Sequence, residues 1–302
     1  MQDAPPSCPL LVGIDVGGTK THLRALAGDE TVADHVRASS GWRPHDTDAA
    51  ARWLADLLSE ALPPGARPSA VAVGAHACET PRQCADIRTA LQELLGVPAR
   101  IVGDAELLVP AAGLDQGVGL VAGTGSVAVG RLADGSAVQV GGWGAVLGDE
   151  GGAAGLVREA ARAAWAAHDR GEAPDSLAQG LVEALGVPEV PALGAALESA
   201  ASASADWGRH APVVFTAAAS GSPLAHAVIA EAGQALAALV ARLAARGVPV
   251  DDVVVAGGTV LGQPVLYDAF TAGLAEAVPG AKARPLTVAP VEGAVALARA
   301  LL

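Results

Sequence analysis

The feature that most constrains this fold is a strand–glycine turn–strand unit that occurs twice in the chain. In the first copy, an apolar run over 10–14 leads to Asp15 and the turn Gly17-Gly18-Thr19, and residues 22–26 return with apolar alternation. Residues 117–131, GVGLVAGTGSVAVGR, repeat this order about a hundred residues later. An apolar run that ends in a tight glycine turn predicts a β-hairpin. The repetition predicts two related domains.

The rest of the chain alternates strands with helices, which predicts an α/β protein with helices on the faces of mixed sheets. Asp46 or Asp48 and, further on, Thr80 are expected to cap helices. The other expected strands are 31–36, 69–74, 100–102, 137–140 and 252–256, and a loop is expected at 39–45. The expected helices are 46–62, 80–95, one from about 105, 153–170, two within 175–205, 223–246, 264–277 and 291–302.

Composition limits the classes of function. The chain has 302 residues, 51% of them hydrophobic, which is enough for two cores. A net charge of −13 argues against a nucleic-acid or anionic membrane surface. We expect no apolar run near the ~20 residues of a membrane helix and no secretory signal in the opening residues. Cys8, Cys78 and Cys84 form neither a disulfide framework nor a CxxC pair, so we expect structural thiols in a reduced, cytoplasmic protein.

The glycine turns are candidate phosphate sites, because glycine lets backbone N–H groups approach an anion closely. An ordinary hairpin explains any one turn alone, but three such turns follow apolar runs in this chain. Asp15 would repel a bare phosphate, so we expect it to hold Mg²⁺ through water beside the phosphates. Neither a Walker A sequence nor a correctly placed GxGxxG is present. The candidate phosphate-binding residues are Gly17, Gly18, Thr19 and Lys20 in the first turn and Thr124, Gly125 and Ser126 in the second; Gly257, Gly258 and Thr259 form the third turn.

Together these motifs resemble the actin-like, sugar-kinase and chaperone ATPase superfamily. Residues 15–19 are similar to its first phosphate motif, 123–126 to its second, and 256–262 to its adenosine motif, while Gly103-Asp104 resembles the connecting segment with the catalytic aspartate. The stretch GGWGAVLGDEGG, at 141–152, resembles the BadF/BadG/BcrA/BcrD ATPase family, which includes N-acetylglucosamine kinases and bacterial glucosamine kinases.

The resemblance implies two RNase H-like domains of the actin-like ATPase fold, with nucleotide and sugar in a cleft between them. The first domain is expected to comprise 1–108 and 289–302, with the closing helix packed back on it. The second is expected to comprise 109–288, with a helical insertion. ATP and Mg²⁺ would be bound, and Gly257, Gly258 and Thr259 would contact the adenosine.

The resemblance also implies a catalytic role for Asp104, as the general base that contacts the sugar, and a role for Asp149 in binding sugar hydroxyls. We add His76, Glu79, Glu150 and Trp143 as sugar-site candidates. Simpler alternatives stay open: Asp104 and the 149–150 acids could only stabilise helix starts, His76 could bond to backbone, and Trp143 could line the core. The loop around His76 departs from the family's glycine-serine type.

The substrate prediction depends on one departure. N-acetylhexosamine kinases resembling this chain often have Asn directly after the second turn, where this chain has Val127. The acidic candidates favour a free amine, so we predict a glucosamine kinase acting at the primary hydroxyl. N-acetylglucosamine kinase is the alternative. The expected partners are an amino sugar and ATP, and a homodimer is left open.

Three other functions are considered. A dehydratase-activating ATPase of the same family would need cysteines that hold an iron–sulfur cluster, and the three cysteines do not suggest one. A sugar-sensing repressor would need a DNA-binding helix pair before the first strand, where only about nine residues are found. An actin-type structural ATPase is expected to be longer than this chain.

Overall fold

The computed structural model describes residues 8–78, 80–200 and 203–302. The chain forms two compact units, Met1–Asp115 with Leu286–Leu302, and Gln116–Pro285. The domain limits expected from the sequence, at 108 and 288, lie a few residues from these boundaries. The two units are described separately below.

The first unit is built on a five-stranded mixed sheet with the order β3-β2-β1-β4-β5. The first three strands are antiparallel, and β4 and β5 run parallel to β1. The elements are β1 Leu10–Val16, β2 Lys20–Ala27, β3 Glu30–Ala38, α1 Thr47–Ala61, β4 Ala70–Ala75, α2 Pro81–Leu95, β5 Ala99–Gly103, a 3₁₀ turn Asp104–Leu107, α3 Leu108–Ala111 and, from the end of the chain, α13 Val291–Arg299.

Helices cover both faces of this sheet. One face of β1, carrying Val12 and Ile14, packs with Leu54 of α1 and Ile87 of α2. On the opposite face, Leu11 of β1 and Ala70 and Ala72 of β4 pack against α13. The contact with α13 is close: a Cβ placed on Gly13 would lie 2.5 Å from the backbone nitrogen of Val295. The expected return of the closing helix to the first unit is therefore confirmed.

The second unit repeats the connectivity of the first, with the strand order β10-β9-β6-β7-β8. Its strands are β6 Val118–Ala122, β7 Ser126–Arg131, β8 Ala137–Gly141, β9 Asp252–Ala256 and β10 Lys282–Pro285. Its helices are α4 Gly144–Leu147, α5 Ala153–Asp169, α6 Ser176–Leu185, a 3₁₀ turn Val190–Ala192, α7 Leu193–Glu198, α8 Ala203–Gly208, α9 Ala211–Ala219, α10 Pro223–Ala245, α11 Gly258–Gly262 and α12 Pro264–Ala277.

Most expected elements are present, and the helix caps are those anticipated. Asp46 caps α1 by accepting from the Ala49 N–H, and Thr80 caps α2 with Pro81 in its first turn. Two complete α-helices, α6 and α7, lie within 175–205 as expected, and a third, α8, begins at Ala203 inside that range. The strand β10 was missed because its four residues, KARP, are polar and mostly exposed.

Among the described residues, one helix, α10, is long and apolar enough to cross a membrane. The sequence-based expectation that no apolar run approaches the length of a membrane helix is therefore wrong for α10, as judged by length and composition. Half of the apolar stretch of this helix is buried within the protein. Leu236, Val240 and Leu243 belong to the core of the second unit, so its apolar composition has a structural explanation.

Candidate active site

The carboxyl ends of three parallel strands bring the acidic candidates of the first unit together. Across the sheet Val16 pairs with Ala75, and Ala75 pairs with Gly103. Asp15, just before this level on β1, and Asp104, just after it on β5, therefore lie at the same edge. In α/β sheets this edge is where ligands bind.

Asp15 has an unusual protonation equilibrium. Burial and, second to it, the neighbouring charge of Asp104 raise the pKa of its carboxyl, Lys20 opposes the shift, and the resulting pKa is about 7. A carboxylate that resists ionisation without a cation suits a metal site. Within the described residues, no group of three or more His, Cys, Asp or Glu side chains could hold a metal ion. A Mg²⁺ ion at Asp15 would therefore take its other ligands from phosphate and water, as Mg²⁺ commonly does.

Asp104 uses its two oxygens differently. Gly103 is the N-cap of the 3₁₀ turn, and Asp104 Oδ1 accepts a hydrogen bond of 2.8 Å from the Ala105 N–H. Asp104 Oδ2 lies 3.9 Å from Nδ1 of His76. The carboxyl is 41% exposed, so it is accessible to a substrate. The helix-start alternative therefore accounts for the contact of Oδ1, while Oδ2 lies near the His76 ring.

His76 lies over the first glycine turn. Its backbone N–H donates to the Val16 carbonyl at 2.7 Å. The imidazole ring, however, is more than half exposed, and a Cβ placed on Gly18 would lie 3.7 Å from its Cδ2. The indole of Trp42 donates to the His76 carbonyl and fixes this loop. Glu79, the other sugar-site candidate from this loop, lies outside the described residues.

In the second unit, the turn after β6 is joined to the start of α5. The Ala153 N–H donates to the Gly123 carbonyl at 2.9 Å, and the Ala154 N–H donates to the Thr124 carbonyl at 3.1 Å. Two N–H groups of the turn also have partners, because the Gly123 N–H donates to the Gly125 carbonyl at 3.0 Å and the Ser126 N–H donates to Asp149 Oδ1 at 3.3 Å. The N–H groups of Thr124 and Gly125 donate to no described residue, so these two are the backbone donors that the turn can offer to a phosphate.

Asp149 is bound to this same turn. Its side chain is buried, and Oδ1 accepts from the Ser126 N–H at 3.3 Å. Burial raises the pKa of the Asp149 carboxyl, and the Ser126 hydrogen bond opposes that shift. The neighbouring Glu150 contributes its carbonyl, which accepts from Ser126 Oγ at 2.7 Å. The observed contacts of Asp149 thus organise the turn, and its role toward sugar stays a prediction.

The third glycine segment differs from the first two. It joins β9 to α11 rather than two antiparallel strands, with Gly257 as the N-cap at φ +114°. A Cβ on Gly257 would lie 2.3 Å from the Ala122 carbonyl oxygen, so this approach requires glycine. Thr259 Oγ1 donates to the Gly123 carbonyl at 2.7 Å. The candidate adenosine and second phosphate motifs are therefore in direct contact.

The remaining sugar candidates of the second unit are Trp143 and Glu150. Trp143 is 72% exposed, so the alternative that it lines the core is wrong. Val146 and Leu147 beside it are also exposed. Glu150 lines a cavity of about 180 Å³ with Glu159 of α5 and Glu231 of α10.

Sequence reasoning missed the residue that holds this loop. Arg158 on α5 donates through Nη1 to the carbonyls of Ala145 and Gly148, and its Nε bonds to Glu159. Nothing in the periodicity of α5 distinguishes this arginine from a solvated one. Its position near the start of α5 was the only feature of the sequence that could have indicated a contact with this loop.

We expect Gly125→Ala to destabilise the protein by about 1–3 kcal/mol. A Cβ at Gly125 would lie 2.6 Å from Asp149 Oδ2, so the buried carboxylate would have to move away from the Ser126 N–H. Gly123→Ala is the matched control, because its Cβ meets nothing closer than Gly257 Cα at 4.0 Å. Denaturant unfolding of both variants measures the difference, and equal stability would contradict the packing described here.

Comparison with known proteins gives a consistent result. The BadF/BadG/BcrA/BcrD ATPase family matches residues 12–298. An N-acetylmuramic acid/N-acetylglucosamine kinase of Clostridium acetobutylicum is 31% identical over 172 residues, which cover 54% of this chain and 56% of that protein. The match therefore spans about half the length of that curated relative.

Solved structures match nearly the whole chain. A protein of Chromobacterium violaceum assigned as an N-acetylglucosamine kinase has a TM-score of 0.71 and 25% identity, covering 97% of this chain and 99% of its own. A ROK family glucokinase from Streptomyces griseus, solved with glucose and AMPPNP, has a TM-score of 0.56 at 17% identity, with coverage of 97% and 99%. The latter likeness concerns the fold alone.

These matches confirm the α/β class and the actin-like sugar-kinase fold with its two RNase H-like sheets. The family match extends from the third residue of β1 to the last turn of α13 and so includes both glycine hairpins. The chain belongs to the BadF/BadG/BcrA/BcrD ATPase family.

Proposed function

We propose that this protein is an ATP-dependent sugar kinase that transfers the γ-phosphoryl group to the primary hydroxyl of an amino sugar, with glucosamine preferred. The observation that carries the proposal is the arrangement of Asp15, Lys20, His76 and Asp104 at one sheet edge of the first unit. One acid there is accessible and the other is buried, as expected for a base beside a metal ligand. The names of the relatives support a sugar as the acceptor.

In the proposed reaction, Asp104 accepts the proton of the sugar hydroxyl. The sugar oxygen forms a bond to the γ-phosphorus as the bond to the bridging oxygen of ADP breaks, so the products are a sugar phosphate and ADP. The transition state of such transfers is loose, and catalysis depends on positioning and charge stabilisation. The residues proposed to bind phosphate are Gly17, Gly18, Thr19 and Lys20 of the first unit and Thr124, Gly125 and Ser126 of the second.

Mg²⁺ held at Asp15 would neutralise charge on the phosphates and orient them. Gly257, Gly258 and Thr259 are proposed to contact adenosine, and the Thr259 bond to Gly123 supports a link between that contact and the second phosphate turn. In addition to Asp104, the proposed sugar contacts are His76, Glu79, Asp149, Glu150 and Trp143.

The preference for a free amine depends on Val127. This residue pairs with Gly141 across β7 and β8 and offers no amide to an N-acetyl group. One observation favours the N-acetylated sugar as second candidate: a Cβ on Gly142 would lie 3.1 Å from Gln139 Nε2 and 3.4 Å from Val127 Cγ2. The side chains of Gln139 and Val127 therefore both lie close to Gly142, which makes the Gln139 amide a candidate contact for an N-acetyl group. The relatives' names also include N-acetylated sugars.

A sugar panel with Mg²⁺ and ATP, followed by coupled detection of ADP, tests the proposal. We expect kcat/KM for glucosamine to exceed that for N-acetylglucosamine at least a hundredfold, about 2.7 kcal/mol of transition-state binding. N-acetylmuramic acid and glucose complete the panel, and NMR of the product locates the phosphate. Equal use of the two amino sugars would contradict the specificity and leave the kinase proposal standing. ADP release that no sugar stimulates would contradict the kinase.

A further inference from the structure

One buried serine holds the first glycine turn in place. Ser39 follows β3 and is 9% exposed. Its hydroxyl donates to the Gly17 carbonyl at 2.7 Å, and its backbone N–H donates to the Thr19 carbonyl at 3.0 Å. Thr21 Oγ1 lies 2.9 Å from Ser39 Oγ. Because the serine proton is directed to Gly17, Thr21 is the donor in this last contact.

These bonds decide which way the peptide groups of the turn face. In a planar trans peptide the carbonyl and the following N–H point in opposite directions. Ser39 draws the carbonyls of Gly17 and Thr19 toward itself, so the N–H groups of Gly18 and Lys20 point away from it. The Gly18 N–H donates to no described residue. The turn is therefore held with the Gly18 and Lys20 N–H groups directed away from Ser39.

We propose that Ser39 is a positioning residue for phosphoryl transfer: by holding two carbonyls of the turn, it presents the Gly18 and Lys20 N–H groups to the phosphates of ATP. The proposal rests on the proposed function, because it takes residues 17–20 as a phosphate site. Ser39 itself contacts no substrate. It acts through the turn, in the way that outer residues orient the ligands of a metal.

The buried setting makes the hydroxyl hard to replace. In Ser39→Ala the partly buried Gly17 carbonyl and the buried Thr21 hydroxyl both lose their partner, and an unpaired buried polar group is costly. The backbone bond to Thr19 remains, so the turn is loosened rather than lost. Ser39→Thr keeps the hydroxyl and the N–H, and Ser40→Ala changes an exposed neighbour with the same loss of a hydroxyl.

The experiment compares ADP with adenosine, because only ADP reaches a phosphate site. Calorimetry on the full chain with Mg²⁺ gives both affinities, and steady-state kinetics gives KM for ATP and for sugar. In Ser39→Ala we expect the Kd for ADP and the KM for ATP to rise about tenfold. The Kd for adenosine and the KM for sugar should stay within about twofold. Ser39→Thr should restore most of the ADP affinity, and Ser40→Ala should match the unchanged protein.

Lys20→Ala distinguishes a failure of the phosphate site at residues 17–20 from a failure of the positioning role of Ser39. If it weakens ADP while Ser39→Ala does not, the phosphate site stands and the positioning role is overturned. If neither variant weakens ADP, the site at residues 17–20 is wrong and the inference fails with it. Equal weakening of ADP and adenosine in Ser39→Ala would indicate general structural damage and would also overturn the proposal.

Discussion

Replacing Asp104 by asparagine should lower kcat about 10²–10⁴-fold, the usual contribution of a general base. Asparagine keeps the shape of the side chain and can still accept from the Ala105 N–H through its amide oxygen. It cannot take a proton from a sugar hydroxyl at neutral pH. The loss should therefore fall on the chemical step rather than on folding or on nucleotide binding.

The binding data distinguish this role from a structural one. Removing a negative charge beside the phosphates should leave ATP affinity unchanged or slightly tighter, because Asp104 then no longer repels them. Asp56→Asn, which changes an exposed carboxylate on α1, is the control. Single-turnover kinetics with a saturating sugar measures the transfer step directly. Near-native kcat in Asp104→Asn would show that another group takes the proton.

The meeting of Asp15 and Asp104 could be predicted from the sequence. Each follows or ends an apolar run, and the carboxyl ends of parallel strands in one sheet lie at one edge. The glycine turns and the repeated sheet followed from the same local pattern. For these features, strand periodicity and a fixed connectivity are sufficient information.

The supporting contacts could not be predicted in this way. Ser39 reaches Gly17 across 22 residues, and their contact depends on the register of β2 and β3. The burial of Asp149 depends on a backbone φ of +58° and on the missing side chain of Gly125. Both are long-range consequences of packing, which leave no periodic signal in the chain.

Replacing Asp15 is the second change that we expect to have a large effect, on activity and on stability. Asp15→Asn should reduce turnover strongly at ordinary Mg²⁺ concentrations, by about a hundredfold or more if the carboxylate helps to hold the ion beside the phosphates. Part of the loss should be recovered at high Mg²⁺, because a neutral amide oxygen is still a ligand. A Mg²⁺ titration of ATP turnover checks this. An unchanged Mg²⁺ dependence in the variant would count against a metal at Asp15.

The pH dependence of stability tests the same residue without any ligand. The folded pKa of Asp15 is about 7 and the usual value is 3.8, so the folded protein prefers the protonated form. Stability from Asp15 is complete below pH ~4 and is lost as the pH rises toward 7, by about 1.4 kcal/mol per pH unit. Asp15→Asn lacks this loss. In denaturant unfolding with EDTA, the free energy of unfolding of Asp15→Asn should therefore rise relative to that of the unchanged protein between pH 5 and pH 7, and the difference should level off above pH 7.

Asp29→Asn, at an exposed turn of the same unit, is the control and should show no such rise. Parallel stability curves for Asp15→Asn and the unchanged protein would mean that Asp15 is ionised in the metal-free fold and that its burial does not favour a bound cation.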